Sequence, residues 1–333
     1  MPGSLLIRLR PEGPWRIGPS NGARDRVDSI FHSDSLYSAV CAAMRDLGHL
    51  EEWLEATARA QNGAAVRLSS LFPYQSEHLY VPAPRHLWPP ATVTRLRAHG
   101  AKFIPVSLIA SLAEGTPLEE DKWEVDGLSE CLVRAGRSGF GPFRVALRSN
   151  AAVDRVEPGI TAAHQTACLE FGHNCGMWGV VQFTDDAAQV TWSKRVEACF
   201  KLLADSGLGG ERSRGWGRAT AEIRESDPLP SVSAETDTET AYWLLSLYSP
   251  AAGDSVDWDR GSYSLIERSG RVESPQAWGN HKKTLRMVSE GSVVFASAAP
   301  QGTAVDVAPD GFPHPVYRAG FGVSVALPWR INV

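Results

Sequence analysis

The sequence has 333 residues, 43% hydrophobic and 21% charged, which is the composition of an ordinary globular protein with one large core or two smaller ones. Its formal net charge of −5 excludes a protein that coats nucleic acid with its whole surface, although a local basic groove is compatible with it. The first residues lack the pattern of a signal peptide, and no apolar run approaches the ~18 residues of a membrane span. We therefore expect a cytoplasmic protein that does not contact a membrane.

The five cysteines are odd in number, widely spaced and never arranged as CxxC. This pattern indicates neither a disulfide framework nor a zinc ribbon, so we expect reduced and mostly buried thiols, no metal and no cofactor. One alternative stays open in the stretch HQTACLEFGHNC. Its His164, Cys168, His173 and Cys175 are ligand types for zinc, although their spacing matches no standard zinc pattern.

The N-terminal segment predicts a strand followed by a helix. SLLIRLR alternates apolar and polar residues as a half-buried strand does. After a Gly- and Pro-rich connection, FHSDSLYSAVCAAMRDLG has helical apolar spacing, with Ser33 or Asp34 as the N-cap and Gly48 as the stop. His32 stands just before this helix, where free N–H groups favour an anion, whereas capping alone explains Ser33 and Asp34.

Two positive stretches follow within this acidic chain. Residues 84–102 contain three arginines, one lysine and two histidines without an acid, and residues 131–155 contain five arginines and two phenylalanines against one aspartate. Arginines interleaved with aromatic rings are typical of single-stranded nucleic acid sites. Taken alone, each stretch is better explained by core phenylalanines and surface arginines.

A glycine-rich segment, GLGGERSRGWGR, occupies residues 207–218 and holds five glycines and three arginines. SKRVEACFKLLADS before it predicts an amphipathic helix, and WGRATAEI at its end predicts a strand. This order is the reverse of a P-loop or dinucleotide site, and neither glycine motif fits. Glycines allow close backbone approach and arginines supply charge, so an extended phosphate chain fits best. A plain helix-to-strand turn needs only one or two glycines.

The stretch ESDPLPSVSAETDTE, residues 225–239, has the composition of a linker. It divides the chain into residues 1–225, where strand-like and helix-like segments alternate, and residues 240–333, where strands and turns dominate.

The glycine-rich loop resembles the C-terminal glycine-rich loop of the RAMP superfamily, the RNA-binding proteins of CRISPR systems. Further stretches are similar, in order along nearly the whole chain, to one branch of it, the fourth Csm subunit of type III-A effector complexes. They are FHSDSLYSAV, SSLFPY, VPAPRHLWP, AKFIPVSLI, VDRVEPG, YSLIERSGRV, KKTLRMVSEGSVV and HPVYRAGFGVSVALP. The resemblance implies an α+β fold of two ferredoxin-like (RRM-like) modules with antiparallel sheets and inserted hairpins, in domains 1–225 and 240–333.

The resemblance also implies a non-enzymatic subunit for antiviral defence. It would cap the effector complex, bind the 5′ tag of the CRISPR RNA, and contact the large polymerase-like subunit and the backbone RAMP subunits, with target RNA reached indirectly. The loop residues that would line the tag phosphates are Gly207, Gly209, Gly210, Arg212, Ser213, Arg214, Gly215, Gly217 and Arg218. His32, Ser33 and Asp34 would lie beside the same groove. Arg155 falls in a segment similar to the family's thumb-like hairpin, with Arg148 as its neighbour.

A different class of function also stays open, a metal-independent RAMP endoribonuclease that processes precursor RNA. Such cleavage needs a general base and a general acid, for which His32 with Tyr37 or His164 are candidates.

Overall fold

The computed structural model describes residues 3–19, 22–136, 139–153, 161–232, 239–274 and 277–329. Among these residues, none of the helices combines the length and apolar character needed to cross a bilayer. The helices are α1 (Ser33–Asp46), α2 (Leu50–Ala56), α3 (Arg95–His99), α4 (Ile109–Ala113) and α5 (Asp186–Ser206). The strands of the N-terminal half are β1 (Ser4–Pro11), β2 (Val66–Leu68), β3 (Phe72–Gln75), β4 (His78–Pro82), β5 (Phe103–Pro105), β6 (Trp123–Val125), β7 (Leu132–Arg134), β8 (Phe143–Val153), β9 (Thr161–Phe171), β10 (Cys175–Phe183) and β11 (Ala219–Glu225).

The N-terminal half is built on one antiparallel sheet in the order β11-β1-β10-β3-β4-β5, with β2 also paired to β10. The predicted strand at the N-terminus is confirmed as β1, whose Leu5, Ile7 and Leu9 are buried. α1 follows β1, and α5 connects β10 to β11. Strands β1, β3, β10 and β11, with α1 and α5, follow one another along the chain as a βαββαβ unit. Across the sheet these four strands stand in the order fourth, first, third, second.

Helix α1 begins at Ser33 with His32 as its N-cap, and the His32 side chain makes no capping hydrogen bond. The expectation that Ser33 or Asp34 is the N-cap is therefore wrong. The physical reason is that both side chains bond to the C-terminal half of the chain instead, as described below. The stop at the glycine is confirmed, since Leu47 is the C-cap and Gly48 has φ +78°.

Strands β8 and β9 form a long antiparallel hairpin with eleven residues in each strand. The other edge of β9 pairs with Trp15. The Trp15 N–H donates to the Leu169 carbonyl at 3.0 Å, and the Leu169 N–H donates to the Trp15 carbonyl at 2.7 Å. The hairpin is thereby attached to the segment that follows β1.

The C-terminal half contains the strands β12 (Thr240–Leu244), β13 (Val256–Ser262), β14 (Leu265–Arg268), β15 (Arg271–Ser274), β16 (Ala277–His281), β17 (Leu285–Val288), β18 (Val293–Ala296), β19 (Gly302–Asp306), β20 (Tyr317–Phe321) and β21 (Ser324–Pro328). Four of them form a sheet in the order β13-β18-β12-β21, and hairpins β14–β17, β15–β16 and β19–β20 fill the connections. No helix occurs within residues 239–274 and 277–329. A strand-and-turn C-terminal half is confirmed.

The mixed α+β class with antiparallel sheets and inserted hairpins is thus confirmed, while the assignment of two ferredoxin-like modules stays a prediction. One apolar core runs through both halves, because Ile7 and Phe200 belong to the same buried cluster as Leu245 and Val293.

Candidate nucleic-acid interface

The base of the glycine-rich loop packs backbone against backbone. A Cβ at Gly209 would lie 2.3 Å from the Arg16 carbonyl oxygen, and one at Gly217 would lie 2.0 Å from the Leu208 carbonyl oxygen. Gly207 ends α5 with φ +89°, and its Cβ would lie 2.7 Å from the Trp216 carbonyl oxygen. The expectation that the turn itself needs only one or two glycines is therefore wrong, since three are required by close approach alone.

The tip of the loop is a single 3₁₀ turn, Arg212–Arg214. Left-handed residues flank it on both sides, Glu211 with φ +61° and Gly215 with φ +78°. The side chains of this turn and of Arg218 are exposed, whereas Gly207 and Gly217 are buried at the base. Of the nine loop residues predicted to line phosphates, five therefore reach the surface: Arg212, Ser213, Arg214, Gly215 and Arg218.

An exposed ion pair lies at this tip. The Arg214 guanidinium lies 3.0 Å from the Glu211 carboxylate, with side chains 42% and 26% exposed. A pair this open to solvent contributes little to stability and can be exchanged for a stronger phosphate contact.

Arg16 anchors the loop, and the sequence analysis did not single it out. Its carbonyl oxygen accepts from Gly210 N–H at 2.8 Å, while its buried guanidinium donates to the carbonyls of Ala23 at 2.8 Å and Ala167 at 3.0 Å. Burial lowers the pKa of Arg16. Because Ala167 belongs to β9, one side chain ties the glycine-rich loop to the base of the β8–β9 hairpin. An isolated arginine in PWRIG carries no sequence signal for this role.

Arg148 lies exposed on β8, opposite Thr166 of β9. It bonds to the carboxylate of Glu170, which Arg144 also contacts at 2.9 Å. The structure thus places Arg148 on the hairpin that Arg16 joins to the loop. Arg155 lies outside the described residues.

His32 and Ser33 are buried where the two halves meet. The two nitrogens of His32 lie 2.8 Å from a Glu290 carboxylate oxygen and 3.0 Å from Asp28. The Ser33 hydroxyl accepts from Leu247 N–H at 3.0 Å. Ser70 completes the network, because its hydroxyl donates to Glu290 and accepts from Ser33 N–H at 2.8 Å.

Asp34 lies beside this network in a second one. Arg268 donates to both carboxylate oxygens of Asp34, at 3.0 and 2.9 Å, and Arg318 donates to the same carboxylate. All three residues are buried.

The charges of these networks stabilise one another in the interior. Burial disfavours a charged imidazole, yet the carboxylates of Glu290 and Asp28 raise the pKa of His32 to about 10. Burial also opposes ionisation of Asp34, but Arg268 and Arg318 hold its pKa at about 2. His32, Glu290 and Asp34 are therefore all charged near neutral pH.

This burial weighs against an RNA contact through the side chains of His32, Ser33 and Asp34, while their position beside an RNA groove stays a prediction. Their side chains are consumed by contacts to the C-terminal half and offer no surface to a nucleic acid. The sequence signal for this role lies far along the chain, in YSLIERSGRV, VSEGSVV and HPVYRAG, which supply Arg268, Glu290 and Arg318.

The same positions weaken the alternatives. A protonated His32 with both nitrogens engaged is not placed to act as a general base. The Tyr37 hydroxyl is buried and hydrogen-bonded to Thr57 at 2.7 Å, and burial raises its pKa well above the usual value. His164 belongs to β9, on the hairpin.

For the zinc alternative, no group of three His, Cys, Asp or Glu side chains in the described ranges could hold a metal ion. Cys175 instead donates to the His173 carbonyl at 3.3 Å, and Cys168 to the Ala146 carbonyl at 3.6 Å.

Comparison with known proteins adds to this geometry. Residues 237–327 match the family model described as the CRISPR Csm4 C-terminal domain. A protein of Methanocaldococcus jannaschii described as CRISPR system Cms protein Csm4 is 24% identical over 337 residues, covering 87% of this chain and 85% of that protein. The crystal structure of a Csm3–Csm4 subcomplex in the type III-A CRISPR-Cas interference complex aligns with a TM-score of 0.65 at 17% identity, covering 98% of this chain and 99% of the aligned chain. A Csm1–Csm4 cassette in complex with cA4 aligns with a TM-score of 0.60 at 16% identity and covers 99% of both chains.

Proposed function

We propose that this chain, which belongs to the Csm4 family, is a subunit of a type III-A CRISPR effector complex that holds the 5′ tag of the CRISPR RNA. The observation that carries the RNA-binding part is the exposed turn Arg212–Arg214, presented by a loop whose base is locked against Arg16. The similarity to solved Csm1–Csm4 and Csm3–Csm4 assemblies supports a large subunit and a backbone RAMP subunit as its protein partners.

The loop is suited to a phosphate chain because its base is preorganised and the side chains of its tip are exposed. The glycine contacts at Arg16 and Leu208 fix the backbone, so little ordering entropy is lost when RNA binds. Arg212, Arg214 and Arg218 then supply charge for backbone phosphates, which position the RNA without reading its sequence. Discrimination of a fixed tag requires further contacts to base edges or 2′-hydroxyls.

The strand order supports the proposal of two ferredoxin-like modules. From one edge to the other, the C-terminal sheet reads β21-β12-β18-β13. Numbered along the chain, these strands are the fourth, first, third and second, which is the order found in the N-terminal sheet. The second module would differ in having hairpins where the first has helices.

A non-catalytic role is part of the proposal. It is supported by the buried and doubly bonded His32 and by the engaged Tyr37, which remove two of the three acid and base candidates from the surface. Incubating the purified protein with repeat RNA in the presence of a chelator should leave the RNA intact. Clean cuts that disappear in His32→Ala would instead establish the endoribonuclease.

Tag binding is tested with the chain assembled with the other subunits of its own system. We expect tighter binding of RNA that carries the system's 5′ tag than of the same RNA with a scrambled tag, or with deoxyribose in the tag. Equal affinity for all three would contradict tag recognition, whereas failure to co-purify with any of the other subunits would contradict the assignment to the complex.

A further inference from the structure

Two exposed aromatic rings lie at an edge of the C-terminal sheet. Trp258 and Tyr263 are in T-shaped contact with ring centroids 5.3 Å apart, and the Tyr263 hydroxyl donates to the Trp258 carbonyl at 3.3 Å. Together with Leu265 they are 38%, 37% and 58% exposed, respectively. We call these three side chains the 258–265 patch. Large apolar side chains grouped at a surface are typical of interaction sites.

Irregular pairing of β13 pushes Trp258 outward. Asp257 pairs with Phe295 of β18, and the next paired residue is Gly261, opposite Val294, so residues 258–260 bulge from the ladder. Gly261 allows β13 to pair with β18 again after the bulge, because its φ of +105° suits glycine and a Cβ there would lie 2.6 Å from the Val293 carbonyl oxygen. Bulges of this kind re-aim side chains beside functional surfaces. In the described part of the chain, β13 has a sheet partner on one side only.

Trp258 has acidic neighbours in the chain, and the basic side chain beside them, Arg260, is engaged elsewhere. The Arg260 guanidinium lies 4.0 Å from the centroid of the Phe295 ring and bonds to the carboxylate of Glu239. Asp257 and Asp259 flank Trp258 in the chain and are exposed, as is Glu267, two residues after Leu265 on β14. Arg286 stands opposite Glu267 in the β14–β17 pair, so the negative rim of the apolar patch is formed by Asp257 and Asp259.

We propose that the 258–265 patch docks a basic protein segment of a neighbouring subunit; the identity of that assembly rests on the proposed function. Phosphates of RNA would be repelled by the rim, and a second copy of this chain would bring the same acids face to face. A basic segment gains both the aromatic contact and the charge attraction, and an extended one can also pair with the free edge of β13.

Binding of the purified large subunit and of the purified backbone RAMP subunit of the same system, each measured separately, tests the proposal. Trp258→Ser combined with Tyr263→Ser should weaken binding to one of the two subunits by about 10-fold or more, as expected for central aromatic anchors. Asp257→Lys with Asp259→Lys should weaken the same interaction and reverse its dependence on salt. Val190→Ser, at an 84% exposed position on α5, serves as the matched control and should bind as the wild type does.

The outcomes separate the two proposals. Wild-type affinity of both patch variants for both subunits would overturn the docking surface while leaving the proposed function intact. A loss of RNA affinity with subunit binding retained would overturn the docking surface and indicate RNA as the occupant of the patch. A loss of self-association with subunit binding retained would indicate a second copy of this chain. If the wild-type chain binds neither subunit, the proposed function fails first. Thermal unfolding checks that the variants fold. If the Trp258→Ser, Tyr263→Ser variant does not fold, the charge-reversal variant, which is altered only at exposed side chains, still tests the proposal.

Discussion

The Nδ1 atom of His32 lies 2.8 Å from a carboxylate oxygen of Glu290, 258 positions further along the chain. Both side chains are buried, and Asp28 approaches the other ring nitrogen. This contact joins the start of α1 to the turn between β17 and β18. It makes the two halves of the chain dependent on one another for compensation of buried charge.

Removing one partner of this contact should therefore destabilise the whole fold. Glu290→Ala leaves the buried imidazolium with one fewer carboxylate, and breaking such a pair costs about 3–5 kcal/mol in the free energy of unfolding. Glu77→Ala, which removes an exposed partner of Arg8, should change that free energy by less than ~1 kcal/mol. Denaturant unfolding of both variants measures the difference, and equal stabilities would show that the buried pair contributes nothing.

Stability should also decline in alkaline solution because of His32. Its pKa rises from 6.5 to about 10 on folding, so its contribution is complete below pH 6.5 and is lost as the pH rises toward 10. The free energy of unfolding of the wild type should fall across this window. His32→Gln should be less stable at pH 6.5 and should show a flatter pH dependence. Parallel profiles for the two proteins would mean that His32 is not charged in the folded state.

Loop arginines should contribute to RNA affinity without contributing to stability. Arg212→Ala and Arg214→Ala should each weaken RNA binding and lower the slope of log affinity against log salt by about 1 per lost phosphate contact. Their midpoints of thermal unfolding should match the wild type, since both side chains are exposed. Arg45→Ala, at an exposed position on α1, is the control for general charge. A loss with Arg45→Ala as large as with Arg212→Ala would point to bulk electrostatics instead.

Two glycines of the same loop should respond differently to alanine. At Gly209 a Cβ would meet the Arg16 carbonyl at 2.3 Å, so Gly209→Ala must displace the loop from its anchor and lower both stability and RNA affinity. At Gly215 nothing lies within 4 Å of a Cβ, and only the left-handed backbone is strained, at a cost of about 1–2 kcal/mol. Gly215→Ala should therefore have the smaller effect on RNA binding, and the reverse order of the two variants would refute the anchoring role of Arg16.

Local patterns were sufficient for the elements that depend on neighbours in the chain. Alternating Leu5, Ile7 and Leu9 predicted β1, and apolar residues at helical spacing predicted α1 and the helix before the glycine-rich loop. These periodicities arise because one face of each element is buried in the core. The collinear motifs also predicted the Csm4 family that the comparisons support.

The sequence by itself thus determined the class of fold, the order of helix, glycine-rich loop and strand, and the resemblance to Csm4 proteins. Tertiary structure decided which polar residues are available for binding. In the sequence, His32 and Asp34 resemble surface residues at the start of a helix. In the fold they are paired with Glu290, Arg268 and Arg318, which lie more than 230 positions further along the chain. Likewise Gly209 of the loop is explained by the Arg16 carbonyl, which no local pattern places there. Burial and charge compensation are properties of residues brought together by folding, whereas periodicity is a property of the chain itself.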